Sequence, residues 1–510
     1  MMTEIKREPL WREETKLPSF PVLKEQVFAD VIIVGGGITG IITAYMLTKA
    51  RKKVVILEAD ELMNGTTGHT TAKITAQHNL IYDELTDSFS EEQAKLYYDA
   101  NMEALQWVRD TIRQEGIECD WKDETAYVYT NDDIKAENLL KEAKIYEKLG
   151  VNGLLTDTMP WKVPFKQALQ MNGQAQFHPL KFLKPLVEYI NENGGAIYEH
   201  SPADDVEKGD KPAVVLKSGV KAIGSSVVIA SHFPFYDNGF YFAKMHAERS
   251  YVIAIKPKKT FPGGMYITAE QPTRSVRSAV YNGEEVLLVG GEGHKTGKGQ
   301  PTADHYQHLK DFAEKEFGID KLLFSWSTQD LFSLDNIPYI GKSSKDDNIY
   351  TATGFKKWGM TTSIISGQLI SDLILNKQNR YAELFSPERF KADPGVKNFV
   401  KKQSDVAAML VKGKLDYFFN NNEELPKNQG IVINWEGKRA GAFKEEDGTV
   451  HLVDTTCTHM GCECEWNDAE RTWDCPCHGS RFSISGEVME GPAKKPLKKF
   501  GQLGDQVWQE

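Results

Sequence analysis

Two hydrophobic rhythms organise this chain. Short unbroken β-rich runs, Asp30-Val-Ile-Ile-Val34 and Val54-Val-Ile-Leu57, read as strands buried on both faces. Between them, Ile41 to Ala50 carries a helical pattern, entered through Gly35-Gly-Gly37-Ile38-Thr39-Gly40. A long helix is predicted from Glu91 to Glu115, with Leu96, Leu105 and Val108 near helical spacing. Another runs through Phe182 to Ile190 and closes at Asn193-Gly-Gly195. Strand-like runs follow at Ala196–Glu199, Ala213–Leu216 and Ser226–Ala230, then aromatic-rich strands from about Phe233 to Leu331. An apolar-periodic helix leads from Gly359 to about Leu375, and the alternating run Gly430–Trp435 opens a last group of strands. No stretch approaches eighteen consecutive apolar residues, so no transmembrane helix is expected.

Composition narrows the picture little and charge somewhat more. A chain of 510 residues exceeds one small core and suggests two to four domains. The net charge of −11, without a basic stripe, argues against nucleic acid as a partner. The one local basic cluster, Lys494, Lys495, Lys498 and Lys499, is either solvated surface or a docking face for an acidic electron-transfer protein. The first 23 residues are charged, carry Pro9, Pro18 and Pro21, and lack an apolar export region. They are expected to form an extended arm on a cytoplasmic protein.

Two motifs carry chemistry. The first is the strand–glycine turn–helix–strand unit ending at Glu58, a dinucleotide-binding fingerprint. Gly35 permits the tight turn, Gly37 lets backbone N–H groups approach a pyrophosphate at the helix N-terminus, and Gly40 allows close helix–strand packing. Glu58 is placed to accept from an adenosine ribose.

The second motif is Cys457-Thr-His459-Met-Gly-Cys462 followed by Cys475-Pro-Cys477-His478-Gly-Ser480. Two thiolates and two imidazoles, Cys457, His459, Cys475 and His478, suit a [2Fe–2S] centre with one iron held by sulfur and the other by nitrogen. Structural zinc is the alternative, although one residue between Cys and His is unusual spacing for it. Five of the six cysteines fall within twenty-one residues, which argues for a metal site rather than a disulfide scaffold. The stretch resembles Rieske proteins of respiratory and photosynthetic chains. That resemblance implies that Cys462 and Cys477 form a disulfide bracing the cluster loops, leaving Cys464 and Cys119 as inert small side chains. High-potential relatives continue Gly-Ser-x-Tyr, whereas Phe482 stands here, which implies one fewer hydrogen bond to sulfur and a potential below the top of the Rieske range.

The fingerprint, the polar loop Asn64-Gly-Thr-Thr-Gly-His-Thr-Thr-Ala72, Asp335-Asn-Ile-Pro338-Tyr-Ile-Gly341 and Gly359-Met-Thr-Thr together resemble the D-amino-acid oxidase/glycine oxidase family. The resemblance implies FAD as cofactor. It places FAD against Gly35, Gly37, Ile38, Thr39, Gly40 and Glu58, then Thr66, Thr67, His69 and Thr71. It adds Val206, contacting adenine through its backbone, and Gly354, Gly359, Met360 and Thr361 at the isoalloxazine. The expected fold is an α/β Rossmann-like FAD-binding domain (28–90, 176–232, 332–380) interleaved with an α+β substrate domain (91–175, 233–331). An arm (1–27), a linker (381–424) and a C-terminal all-β Rieske domain (425–510) complete it.

In dimethylglycine and sarcosine dehydrogenases the loop His is bonded covalently to flavin, usually after a Trp where Gly68 stands here. His69 therefore either carries such a bond or contacts flavin without one. Amino-acid-oxidising members clamp the substrate carboxylate with an Arg where this chain has Gln329 or its neighbours, and an amide cannot supply the same charged fork. Arg249, Arg274 and Arg277 are candidate substitutes, and no catalytic residue is assigned. The expected function is oxidation of a small amine or amino-acid-like substrate by hydride transfer to flavin. Electrons then pass singly through the cluster, by its His459–His478 edge, to an external protein or quinone acceptor. The alternatives are a reductase component for a separate oxygenase and a redox-sensing binding protein.

Overall fold

The computed structural model describes residues 5–237, 239–298, 301–344, 348–389 and 425–503. Its first sheet has eight strands, six of them in the order Tyr339–Lys342, Ile349–Thr353, Lys221–Ile229, Val27–Val34, Val54–Leu57 and Ala196–Tyr198. Val27–Val34 pairs in parallel with both Lys221–Ile229 and Val54–Leu57, so its β-branched inner half is covered on all sides. The antiparallel hairpin Ala203–Glu207/Ala213–Leu216 joins through Lys221–Ile229. The helices Ile38–Lys49 and Gly359–Ile374 pack together against this sheet. Gly367 permits the approach, because a Cβ there would lie 2.5 Å from Ile42 Cγ2.

The second sheet has nine strands, eight of them in the order Ile319–Ser333, Met245–Pro257, Glu284–Lys295, Arg274–Tyr281, Met265–Thr268, Lys122–Thr130, Gln167–Gln176 and Lys73–Ile74. The chain first enters it at Lys73–Ile74, directly after the polar loop expected to hold flavin. The helix Glu91–Glu115 is capped by the Ser90 hydroxyl and ends at Gly116 in the left-handed region. The helix Asp133–Leu149, capped by Asp132, lies in an interval where sequence reading named no helix.

Residues 425–503 form two four-stranded antiparallel sheets, Gly430–Trp435, Lys438–Lys444, Val450–Asp454 and Lys499–Leu503, then Glu465–Asn467, Thr472–Asp474, Arg481–Phe482 and Val488–Glu490. This is the all-β unit expected at that end.

The arm is not merely extended. It contains the helical turn Leu10–Glu14, which buries Leu10 and Trp11 in the main core. Trp11 Nε1 donates to Thr70 O at 2.8 Å, and the Arg277 guanidinium stacks over its ring. A fully buried Trp in an otherwise charged segment explains the difference. Of the expected linker, the described part adds the turn Ala382–Phe385 and Arg389, whose guanidinium holds both oxygens of Asp335 at 2.9 Å. Residues 390–424 lie outside the described residues.

Candidate functional site

The glycine turn joins the strand Val27–Val34 to the helix Ile38–Lys49. Gly35 sits at φ +110°, where a Cβ would lie 2.4 Å from Ala230 O, and a Cβ on Gly40 would lie 2.0 Å from Gly35 O. Both positions therefore exclude side chains, for conformation and for packing respectively. Glu58 accepts from Gly36 N at 2.7 Å and Asp60 N at 3.0 Å, and burial raises its pKa despite those bonds.

The polar loop folds back onto this helix start. Thr67 Oγ1 accepts from Ile38 N at 2.9 Å and stands where a Cβ on Gly37 would crowd it. Thr66 O accepts from His69 N at 3.2 Å, and Thr71 lies beside Gly290 of the second sheet. His69 Nδ1 bonds Gly65 O at 2.9 Å, and burial lowers its pKa. A Cβ at Gly68 would lie 2.4 Å from Met63 O, so this loop conformation has no room for a side chain there.

The C-terminal helix closes the same region. Thr39 Oγ1 donates to Ser363 Oγ at 3.0 Å, tying the two helices across 324 residues of chain. Gly354, at φ +74°, ends the strand Ile349–Thr353, and Gly359 opens the helix that carries buried Met360 and Thr361. Thr361 Oγ1 lies 3.4 Å from His78 Nε2, and His78 stacks on Trp358. Val206 packs in the cluster containing Val34 and Leu57, the ends of the first two strands. The structure thus brings the fingerprint, the polar loop, Val206 and the C-terminal helix to the ends of one sheet's strands. A helix start there favours anionic charge. These donors and cradles fit a bound dinucleotide.

The two cysteine–histidine boxes form facing turns. Cys457 N donates to Cys462 O at 2.7 Å, and Cys475 N donates to Ser480 O at 2.8 Å. Cys462 and Cys477 are joined as a disulfide that links the turns. Cys457 and Cys475 Sγ lie within 4.8 Å of each other, and the His459 and His478 rings meet edge to face at 5.1 Å. Buried sulfurs beside paired imidazoles fit a two-thiolate, two-imidazole cluster. Cys464, expected to be inert, is fully buried with its Sγ in the same thiol group. Hydrogen bonds from Cys464, and then Cys475, push the Cys457 pKa down. Phe482 is fully buried beside them.

The cluster turns are docked on the first two strands of the second sheet. A Cβ on Gly479, at φ +82°, would lie 2.3 Å from Ala247 Cβ. Gln329 Nε2 donates to Gly479 O at 3.0 Å, while its Oε1 accepts from Thr296 at 2.7 Å. Arg249, 1% exposed, reaches Glu490 at 3.4 Å and Asp474 at 3.9 Å, and both acids also pair with Arg481. Lys494 Nζ donates to Asp204 O at 2.7 Å, so one member of the basic cluster faces the chain's own first domain.

None of the three candidate arginines is free for a substrate carboxylate. Arg249 bridges to the C-terminal domain, Arg274 pairs with Glu292 at 2.5 Å, and Arg277 donates to Ala72 O at 2.9 Å. Phe242 packs edge-on against His459 at 5.5 Å and His478 at 5.6 Å and covers part of the imidazole edge. His478 is buried whereas His459 is half-buried, with exposed Met460 beside it. Sequence reading also passed over Lys73, whose amine donates to Tyr266 O at 3.1 Å. Burial and then Arg277 lower its pKa to about 7, the range of a proton-exchanging group at neutral pH. Its only signal was a lysine directly after an apolar-flanked loop.

Comparison with known proteins agrees with this architecture. The family described as FAD dependent oxidoreductase matches residues 30–373, and the Rieske [2Fe-2S] domain family matches residues 416–501. YhfW of Bacillus subtilis (strain 168), whose name describes a Rieske 2Fe-2S iron-sulfur protein, is 49% identical over 97% of both chains. Gamma-glutamylputrescine oxidoreductase of Escherichia coli (strain K12) is 25% identical over 72% of this chain and 88% of its own. The crystal structure of glycine oxidase from Geobacillus kaustophilus covers 71% of this chain and 99% of its own at TM-score 0.60 and 17% identity, a likeness of fold. Among the described residues, no helix is long and apolar enough to cross a membrane.

Proposed function

The chain belongs to the FAD-dependent oxidoreductase family and ends in a Rieske [2Fe-2S] domain, and from that premise we propose that it is a cytoplasmic amine dehydrogenase wired internally. When bound, FAD held by the glycine turn and polar loop would supply hydride acceptance from a small amine or amino-acid-like substrate, and a cluster held by Cys457, His459, Cys475 and His478 would supply single-electron transfer to an external protein or quinone acceptor.

The observation that carries this reading is the docking of the cluster turns onto the strands beside the flavin loop. Along the strand Ile319–Ser333, Trp326 Nε1 donates to His69 O at 2.8 Å, and Gln329 donates to Gly479 O. Three residues of strand span about 10 Å, and this odd separation turns the two side chains to opposite faces, so the loop and the cluster turn meet across the sheet. Burial lowers the pKa of both His69 and His232 and the Glu490 carboxylate opposes that shift at each, which supports a C-terminal domain close to the flavin loop. Buried His478 is then the inward ligand. Half-buried His459, beside exposed Met460, marks the side open to an acceptor.

The substrate side also departs from amino-acid oxidation. Gln329 holds a backbone carbonyl instead of a carboxylate, and Arg249, Arg274 and Arg277 are committed elsewhere. An amine lacking an α-carboxylate fits these residues best. The name of the gamma-glutamylputrescine oxidoreductase relative includes a putrescine amine whose carbon bears no carboxylate, which supports an amine of that kind. An anaerobic screen of amines and amino acids, following flavin bleaching and the reduced-cluster EPR signal together, tests the reading. Amines should bleach flavin and produce the signal; a response confined to α-amino acids, or flavin bleaching without the signal, contradicts it.

A further inference from the structure

On the second sheet, away from the nucleotide turn, Glu292 and two histidines converge on one point. Glu292 lies on the strand Glu284–Lys295, while His305 and His308 lie on the helix Ala303–Phe317. Three residues apart, the two imidazoles share one helix face. Each presents Nδ1 to the same carboxylate oxygen, Glu292 Oε2, at 2.8 Å from His305 and 3.1 Å from His308. All three ligand atoms fall within 4.8 Å of one another. Bonds of about 2.0–2.1 Å in a tetrahedral zinc site put ligand atoms roughly 3.3 Å apart, so this spacing needs only a small expansion.

Three further observations distinguish this group from an ordinary buried ion pair. Arg274 holds the other oxygen, Oε1, at 2.5 Å, which fixes the carboxylate and leaves Oε2 aimed at the imidazoles, as an outer-shell partner does. Glu292 has φ +55°, a backbone conformation uncommon for a side chain of this size. The neighbouring His294 is excluded from the set, since its Nε2 meets Tyr251 Oη at 3.0 Å and its Nδ1 meets Lys295 O at 3.0 Å.

We infer that Glu292, His305 and His308 form a binding site for a zinc-class divalent transition metal, separate from the iron–sulfur centre. The metal replaces the two protons now directed at Oε2. Its fourth position faces the solvent side, where His308 is 54% exposed. The site fixes the start of a helix that the C-terminal domain also holds: Thr302 N donates to Asp468 Oδ1 at 2.9 Å and Tyr306 Oη to Glu470 Oε1 at 2.9 Å.

The test uses full-length holoprotein with its flavin absorbance and iron content verified, stripped of loose metal by chelator, then equilibrated with zinc chloride. Zinc retained after gel filtration is counted by elemental analysis, and affinity is measured by calorimetry. One zinc per chain is expected, with affinity falling about tenfold or more in both H308N and E292Q at unchanged iron and flavin content. H308N alters a half-exposed side chain and keeps the buried Glu292–Arg274 pair, so a folding defect in E292Q leaves the decision to it. Failure of the wild type to retain zinc, or wild-type affinity in H308N, overturns the assignment.

Discussion

Gln329 donates through Nε2 to the carbonyl of Gly479 at 3.0 Å, joining a strand of the flavoprotein fold to the turn that carries His478. The same amide accepts from Thr296, so both of its polar ends are used at a buried interface. Its replacement by Leu should leave the Gly479 carbonyl and the Thr296 hydroxyl without partners. A cost of about 1–3 kcal/mol to docking is expected. In anaerobic stopped-flow experiments, substrate should bleach flavin at the wild-type rate while cluster reduction slows.

Arg249→Met removes the guanidinium shared by Asp474 and Glu490 and leaves Arg481 facing both acids. Breaking a buried charge network costs about 3–5 kcal/mol. Calorimetry should then show the C-terminal domain melting ahead of the remainder, with the wild type melting more cooperatively.

The interface also carries opposed pH dependences. Burial would raise the Glu490 pKa, but Arg481 and then Arg249 outweigh it and bring it to about 2. An acid so depressed contributes stability above its unfolded pKa of about 4.3 and loses it as pH falls toward 2. Asp330, next to Gln329, is shifted the other way, to about 7, mainly by burial. Its contribution is fully present below about pH 3.9 and lost as pH rises through 7. Asp330→Asn should therefore raise the melting temperature at pH 8 relative to wild type, with a much smaller change at pH 4. Equal shifts at both pH values would contradict this account of Asp330.

Cys462 and Cys477 close a 15-residue separation that contains Cys475 and ends beside His478. A loop of that length is stabilised by about 3 kcal/mol when cross-linked. Cys477→Ser should lower the iron content of purified protein and speed cluster loss on warming, read from iron analysis and visible absorbance.

Much of the architecture was written locally. The strand–glycine turn–helix unit and the two cysteine–histidine boxes are short segments in which backbone sterics or ligand chemistry constrain every position. The strand Ala213–Leu216 and the helix Glu91–Glu115 likewise followed from local periodicity. What joins the domains was not legible. Arg249 and Asp474 are 225 positions apart, and a charged residue's expected place is the surface, so no local pattern announces a buried bridge. The strands Lys122–Thr130 and Gln167–Gln176 begin with polar residues, and Leu10-Trp11 is too short an apolar run to reveal a buried turn. Cys464 looked spare because its meaning lies in the fold: only there does its sulfur meet those of Cys457 and Cys475.

The central claim is that the cluster exchanges electrons with the flavin of its own chain through the interface at Gln329, Arg249 and His478. Rapid-freeze EPR after anaerobic mixing with a substrate that bleaches flavin tests it directly, repeated across a tenfold range of protein concentration. The reduced-cluster signal is predicted to rise at a rate independent of concentration. No signal, or a rate proportional to concentration, would contradict the claim.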